Sequence, residues 1–231
     1  MLFMTVPTAG SRPALLNALI NDCGLPRENI IIVTTRRGVE LPEGVVVLED
    51  FGPRNIQRWW NAGIREAESR GATAVAVVND DISLNPATLA ALQASLEQTG
   101  AAIASPTRPE FRPGLHKRPL VPYEPRLWGS LWVLRLNSGL RPDDRYVWWY
   151  GDNDLDIRAR KHHGGVVLVP VDYEHLHPGE GTAASPELQQ QADTDAQRFE
   201  QQYARLLRRS RSLIRWRQRL GLGRKEPRGP Q

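Results

Sequence analysis

Three groups of side chains in this sequence have the types and spacing to do chemistry. VVNDDISLNP places Asn79, Asp80 and Asp81 directly after an apolar run, where short oxygen ligands can hold a hard cation such as magnesium or manganese and leave positions for phosphate oxygens and water. The same residues could instead form an Asx turn, with their side chains bonded to nearby backbone and serving only to join strand to helix. WWYGDNDLDIRARKHHGG sets Asp152, Asn153, Asp154 and Asp156 behind Trp148, Trp149 and Tyr150. On a helix starting here Asp152 and Asp156 share a face while Asp154 can pair with Arg158 at i,i+4, so one carboxylate can be left free. A free carboxylate beside aromatic rings can accept the proton of a sugar hydroxyl stacked on those rings. The alternative is a helix N-terminus whose carboxylates cap it and face its dipole. The third group is HLH in VDYEHLHPGEGT: His175 and His177 would point to one side of an extended chain and could both approach one metal. His162 and His163 in KHHGG fit better as side chains at a helix C-terminus.

The elements that must position these groups follow from hydrophobic spacing. Residues 2–7 predict a strand. Residues 12–23 predict a helix, with Ser11 as its N-cap, Pro13 at an early position and Gly24 at its end. Strands follow at 29–35 and 44–48. A helix at 55–70 carries Ile56, Trp59, Trp60, Gly63, Ile64 and Ala67 on one stripe and stops near Gly71. The strand at 74–78 is apolar throughout, which implies burial on both faces and puts Asn79-Asp80-Asp81 at the carboxyl edge of a central strand, where open α/β sheets bind ligands. A helix at 86–98 and a strand at 101–105 continue the alternation. Residues 106–128 then hold six prolines, incompatible with an ordinary helix or central strand, and predict a long loop or crossing segment. Strands return at 130–136 and 166–169, on either side of the helix that begins in the acidic run. The fold class expected is α/β, a single domain with a mostly parallel central sheet.

Composition narrows the partners. One cysteine among 231 residues excludes an intramolecular disulfide framework and a thiol zinc cluster, and fits a reducing compartment. The N-terminus lacks the basic region and long apolar stretch of a secretory signal, and no run of ~18 apolar residues occurs. The expected location is cytoplasmic, with peripheral attachment to the inner face of the membrane as an option. The net charge of +4 hides an asymmetry: from Arg198 onward eleven Arg or Lys oppose two Glu, giving +9 and leaving −5 for residues 1–197. Tyr203, Leu206, Leu207, Leu213, Ile214 and Leu220 form an apolar stripe ringed by arginines, a basic amphipathic helix. It could lie on an anionic membrane, bind nucleic acid or pack on the body of the protein.

Taken in order, these pieces resemble the GT-A glycosyltransferases, in particular the inverting family 2 group that includes rhamnosyltransferase-like enzymes. GPRNIQRWWNAGIREAESRGATAVAVVNDDISLNP is similar to the family's helix, strand and DxD-type turn, and GDNDLDIRARKHHGGVVLVP to its acidic segment before the next strand. The matches span roughly residues 2–182. The resemblance implies a GT-A (Rossmann-like) catalytic domain over 1–182 with 106–128 as a Pro-rich acceptor-side loop, a linker over 183–197 and a basic helical tail over 198–231. It further implies a nucleotide-sugar donor, a saccharide, lipid-linked or protein acceptor, and Mn²⁺ or Mg²⁺ as cofactor. Carried over by position, Asp81 becomes the metal carboxylate, with His177 preferred to His175 as an added ligand. Asn79 and Asp80 lie near the ribose or metal, and Asp152 is the general base. Thr5, Pro7, Thr8, Arg54 and Asn55 are expected at the donor, with simple turn chemistry as the alternative. Trp149 and Asp154 are expected on the acceptor side, and Trp128, Trp132 and Trp148 either shape that pocket or belong to the core. One departure concerns the nucleobase: the family commonly has an Asp after the second strand, and here that place reads Thr34-Thr35-Arg36. Competing readings are a nucleotidyltransferase on a related fold, for which TVPTAGSRP is a poor phosphate loop, and a nucleic-acid-binding or modifying protein that uses the tail.

Overall fold

The structure is a computed structural model that describes residues 1–119, 121–177 and 185–219. In chain order its elements are β1 (Leu2–Thr8), α1 (Pro13–Asp22), β2 (Ile30–Thr34), β3 (Val46–Glu49), α2 (Ile56–Ser69), β4 (Ala74–Val78), β5 (Ile82–Leu84), α3 (Pro86–Thr99), β6 (Ile103–Pro106), β7 (Gly114–His116), β8 (Leu131–Arg135), α4 (Gly151–His162), β9 (Val166–Val169), β10 (Tyr173–His175), α5 (Pro186–Gln202) and α6 (Ala204–Arg219). Eight strands form one sheet in the order β3-β2-β1-β4-β8-β6-β9-β7. β1 pairs in parallel with β2 and β4, β2 with β3, and β6 with β9, whereas β8 runs antiparallel between β4 and β6, and β7 is an antiparallel edge.

The apolar runs are buried on both faces, as central strands of an α/β sheet require. Along β1 and β4, alternate residues enter opposite cores. Leu2, Met4, Val6, Ala74, Ala76 and Val78 join α1 and α3 on one side, and Phe3, Val75 and Val77 join Trp60, Ile64 and Ala67 of α2 on the other. α2 starts where Asn55 accepts a hydrogen bond from Arg58 N at 2.9 Å, and α3 starts where Asn85 accepts from Thr88 N. α2 lies so close to β1 that a Cβ at Gly63 would overlap the Thr5 hydroxyl.

Several expectations change. α1 spans Pro13–Asp22 with Arg12 at its N-cap and no side-chain cap, so Ser11 does not start it. The third strand is Val46–Glu49, an edge strand of alternating exposure that begins two residues after the turn glycine Gly44. The proline-rich segment contains β7, which its position at the sheet edge permits. The expected linker is helical from Pro186: Ser185 caps α5, which runs unbroken past residue 198, the expected boundary of the tail. Leu188 and Phe199 of that helix are buried, and Phe199 joins Tyr146, Ile157 and Tyr203 in a third apolar cluster. Buried apolar contact thus makes α5 part of the body. Residues 178–184 and 220–231 lie outside the described residues, so the boundary at 182/183 and the end of the tail do too.

Candidate active site

The parallel strands β1 and β4 end side by side, with Thr5 opposite Val77, and the loops beyond them open into a cleft of about 940 Å³. Thr8 donates its hydroxyl proton to Asp80 Oδ2 at 2.6 Å and accepts from Gly10 N. Burial pushes the Asp80 carboxyl up from its ordinary value, and the Thr8 hydrogen bond partly offsets this. Next to it, Asp81 is almost completely buried, with Arg12 Nη1 3.7 Å from Oδ2 and His175 Nε2 3.3 Å from Oδ1. β10 brings that histidine in: it pairs antiparallel with β5, with His175 opposite Ile82, and Leu176 N bonds to the Asp81 carbonyl. Of the two histidines it is therefore His175 that touches Asp81, whereas His177 lines the same cleft.

β8 delivers the opposite wall. Because it runs antiparallel to β4, the residues just before it lie beside Asn79, whose N–H bonds to the Ser130 carbonyl. The preceding Gly129 donates its N–H to Asp152 Oδ2 at 3.1 Å, and Asn153 N donates to Oδ1 at 2.9 Å. Asp152 sits in the first turn of α4 and lines the cleft. Burial pushes its carboxyl up to about 6, against the pull of those two backbone N–H groups. Trp59, Trp60, Trp128, Trp148 and Trp149 surround this end of the cleft. Trp59 and Trp148 meet edge to face at 6.2 Å, and Arg108 stacks on Trp128 with its guanidinium carbon 3.2 Å from the ring centre.

The structure gathers Pro7, Thr8, Arg54, Asn79, Asp80, Asp81, Trp149, Asp152 and His177 on one cleft. Three expected residues are elsewhere. Thr5 is fully buried beneath Gly63 and cannot reach a ligand in the cleft. Asn55 is the α2 cap, and its amide nitrogen is bonded to the Asp144 carbonyl. Asp154 is buried under α5, not on the acceptor side: it accepts from Arg158 Nε at 2.7 Å, Tyr203 Oη at 2.6 Å and Gln202 Nε2 at 2.8 Å, which saturates its carboxylate. Trp132 is core, packed edge-on against Trp60.

Arg12, Gln57 and Asp195 carry no local signal of a site in the sequence, yet the structure brings all three to it or behind it. Gln57 reaches the cleft because its side chain lies against Gly151, where any Cβ would overlap it. Its Oε1 and the indole N–H groups of Trp59, Trp60 and Trp128 are buried with no hydrogen-bond partner among the described residues. Thr35 donates to the Thr8 carbonyl and, with Arg36, lines the cleft.

No family model matches the chain, and neither does any curated protein. Among solved structures it is similar to S. aureus TarS, with a TM-score of 0.57 at 14% identity over 79% of this chain and 38% of that one. For TarS 1–349 the TM-score is 0.58 at 13% identity over 98% of this chain and 75% of that one. For TarS 1–349 in complex with UDP-GlcNAc it is 0.53 at 14% identity over 77% and 60%. The chain spans about two fifths of the longer TarS structure. What is shared is the fold, an α/β arrangement of the GT-A type.

Proposed function

We propose that this protein is an inverting glycosyltransferase that moves a sugar from a nucleoside diphosphate to an acceptor hydroxyl. The observation that carries the reading is the position of Asp152: an aromatic-walled carboxylate in the same cleft as Asn79-Asp80-Asp81. That a structure of similar fold is a complex with UDP-GlcNAc supports a nucleotide-sugar donor. The donor diphosphate lies toward Thr8, Asp80 and Asp81, and the acceptor lies between Asp152 and the tryptophans. The acceptor oxygen forms a bond to the anomeric carbon from the face opposite the diphosphate, its proton passes to Asp152, and the bond from the anomeric carbon to the diphosphate breaks with its electron pair on the leaving oxygen. This single displacement inverts the anomeric centre. Arg12, Arg54 and Arg108 line the cleft and oppose the charge gathering on the diphosphate.

Asp81 with His175 offers a carboxylate oxygen and an imidazole nitrogen at one point. Among the described residues no group of three or more His, Cys, Asp or Glu converges. Two protein donors suit a Mn²⁺ or Mg²⁺ ion whose remaining positions are filled by diphosphate and water. When bound, such an ion supplies positive charge to the leaving group. The unpartnered Gln57 Oε1 and indole N–H groups complement a polyhydroxylated acceptor, which both donates and accepts hydrogen bonds. The outward face of α6 exposes Arg205, Arg208, Arg209 and Arg215 with Trp216, a pattern that suits an anionic membrane surface and an acceptor presented there. None of the described helices is long and apolar enough to cross a membrane.

The test is release of nucleoside diphosphate from a panel of nucleotide sugars, with Mn²⁺ or Mg²⁺ and a set of saccharide acceptors, for the wild type and Asp152→Asn. Acceptor-dependent release by the wild type that is lost in the variant supports the reading. No release from any donor would overturn it.

A further inference from the structure

We infer that Asp195 of α5 is a positioning residue for this transfer, holding the Val147–Trp149 segment that shapes the acceptor end of the cleft and leads into Asp152. The inference rests on the transfer reading above. Asp195 is completely buried, where an ionised carboxylate is costly unless every lone pair finds a donor. Four donors converge on it: Val147 N at 3.2 Å and Gln191 Nε2 at 3.0 Å on Oδ1, and Trp148 N at 2.8 Å and Trp149 N at 2.9 Å on Oδ2. Three successive backbone N–H groups aimed at one anion form an oriented nest, a rigid arrangement for a stretch with no regular secondary structure of its own.

What this segment carries explains why its rigidity bears on the chemistry. The Trp148 ring meets Trp59, Trp149 stands on the rim of the cleft, and the Val147 carbonyl accepts from Ile56 N at the start of α2. Tyr150 follows with φ +63, the left-handed conformation that turns the chain into α4. Gly151 packs against Gln57, and Asp152 comes next. A shift of the nest therefore displaces both the aromatic wall and the base. α5 keeps its seat independently of Asp195 through Phe199 and Tyr203, which pack with Tyr146 and Ile157, and it places Leu188 on the cleft. α5 is in this way part of the acceptor site.

Asp195→Asn keeps the volume of the side chain but cannot keep its bonding, because both oxygens face only donors and an amide presents its own N–H whichever way it is turned. With nucleotide sugar and acceptor, kcat should fall by about tenfold to a hundredfold and the acceptor KM should rise, while the donor KM and the thermal shift caused by nucleoside diphosphate stay as in the wild type. Amide exchange at 147–149 should become faster. Gln191→Ala, a gentler variant that removes one of the four donors, should move the same quantities in the same direction and decides the matter if Asp195→Asn does not fold. Wild-type transfer that is undiminished in the variant, or a loss shared equally by donor affinity, would overturn this inference alone. A wild type that releases nucleoside diphosphate from no donor would overturn the transfer reading and this inference with it.

Discussion

Replacing Asp152 by Asn should separate two effects that the site combines, stability and chemistry, and drive them in opposite directions. Burial raises this carboxyl from 3.8 to about 6, so the folded protein holds the proton more tightly than the unfolded chain does. The stabilisation from that proton is complete below pH 3.8 and is lost as the pH rises through about 6. At pH 7.5 the ionised group therefore costs the fold about 3 kcal/mol. An amide removes the charge but turns one of the two oxygens that accept from Gly129 and Asn153 into a donor, forfeiting a hydrogen bond of about 1 kcal/mol. The variant should gain about 2 kcal/mol at pH 7.5, roughly 4–8 °C in Tm for a chain of this length. Below pH 4 it should be the less stable of the two. Its transfer rate should fall by about 10²–10⁴-fold, and wild-type kcat/KM should drop about tenfold per pH unit below 6 and level off above it. Thermal unfolding at pH 7.5 and pH 3.5, with nucleoside diphosphate release across the same range, measures all of this. An Asn variant that is less stable at pH 7.5, or that transfers sugar at a rate near the wild type, would refute the assignment of a partly buried, ionised base.

Gly63→Ala forces a methyl group into Thr5 where α2 crosses β1, and should cost about 1–3 kcal/mol in denaturant unfolding; an unchanged midpoint would mean that the contact is looser than it looks. His175→Ala and Asp81→Asn should each abolish any Mn²⁺-dependent part of the thermal shift produced by a nucleoside diphosphate, and a metal response that persists in both would place the ion elsewhere. Trp149→Ala, at a ring that is 44% exposed, should leave stability within about 0.5 kcal/mol while raising the acceptor KM. Replacing Arg208, Arg209 and Arg215 by Gln should weaken binding to vesicles rich in anionic lipid by about 10²-fold, at about 1 kcal/mol per arginine, and equal binding to neutral vesicles would exclude the electrostatic surface.

The legible parts of the fold were those in which one short stretch holds its own instruction. The runs at 74–78 and 166–169 are apolar at every position, so they had to be buried strands, and the 3.6-residue stripe of Trp59, Trp60, Gly63, Ile64 and Ala67 had to face a core. The sequence is silent where a residue's partner is remote. Asp154 pairs with Arg158 as its spacing implied, yet its second oxygen belongs to Tyr203 and Gln202, nearly fifty residues away. Nothing in LQQQADTDAQRF separates Asp195 from Asp193 as the carboxylate that would go inside. The segment expected as a linker has few apolar residues, but Leu188 and Phe199 are enough to seat it once a complementary face exists.

The sequence by itself determined the α/β alternation, the buried strand that ends in Asn79-Asp80-Asp81, and the acidic helix start that holds Asp152, because period, capping and turn chemistry act within a few residues. Only the tertiary structure decided that Asp152 faces the cleft while Asp154 and Asp156 face inward, that His175 rather than His177 meets Asp81, and that Asp195 underpins the tryptophan wall. Those choices depend on the antiparallel entry of β8, the pairing of β10 with β5 and the docking of α5. Each is a contact between segments far apart in the chain, fixed by the burial of surfaces that no local pattern describes.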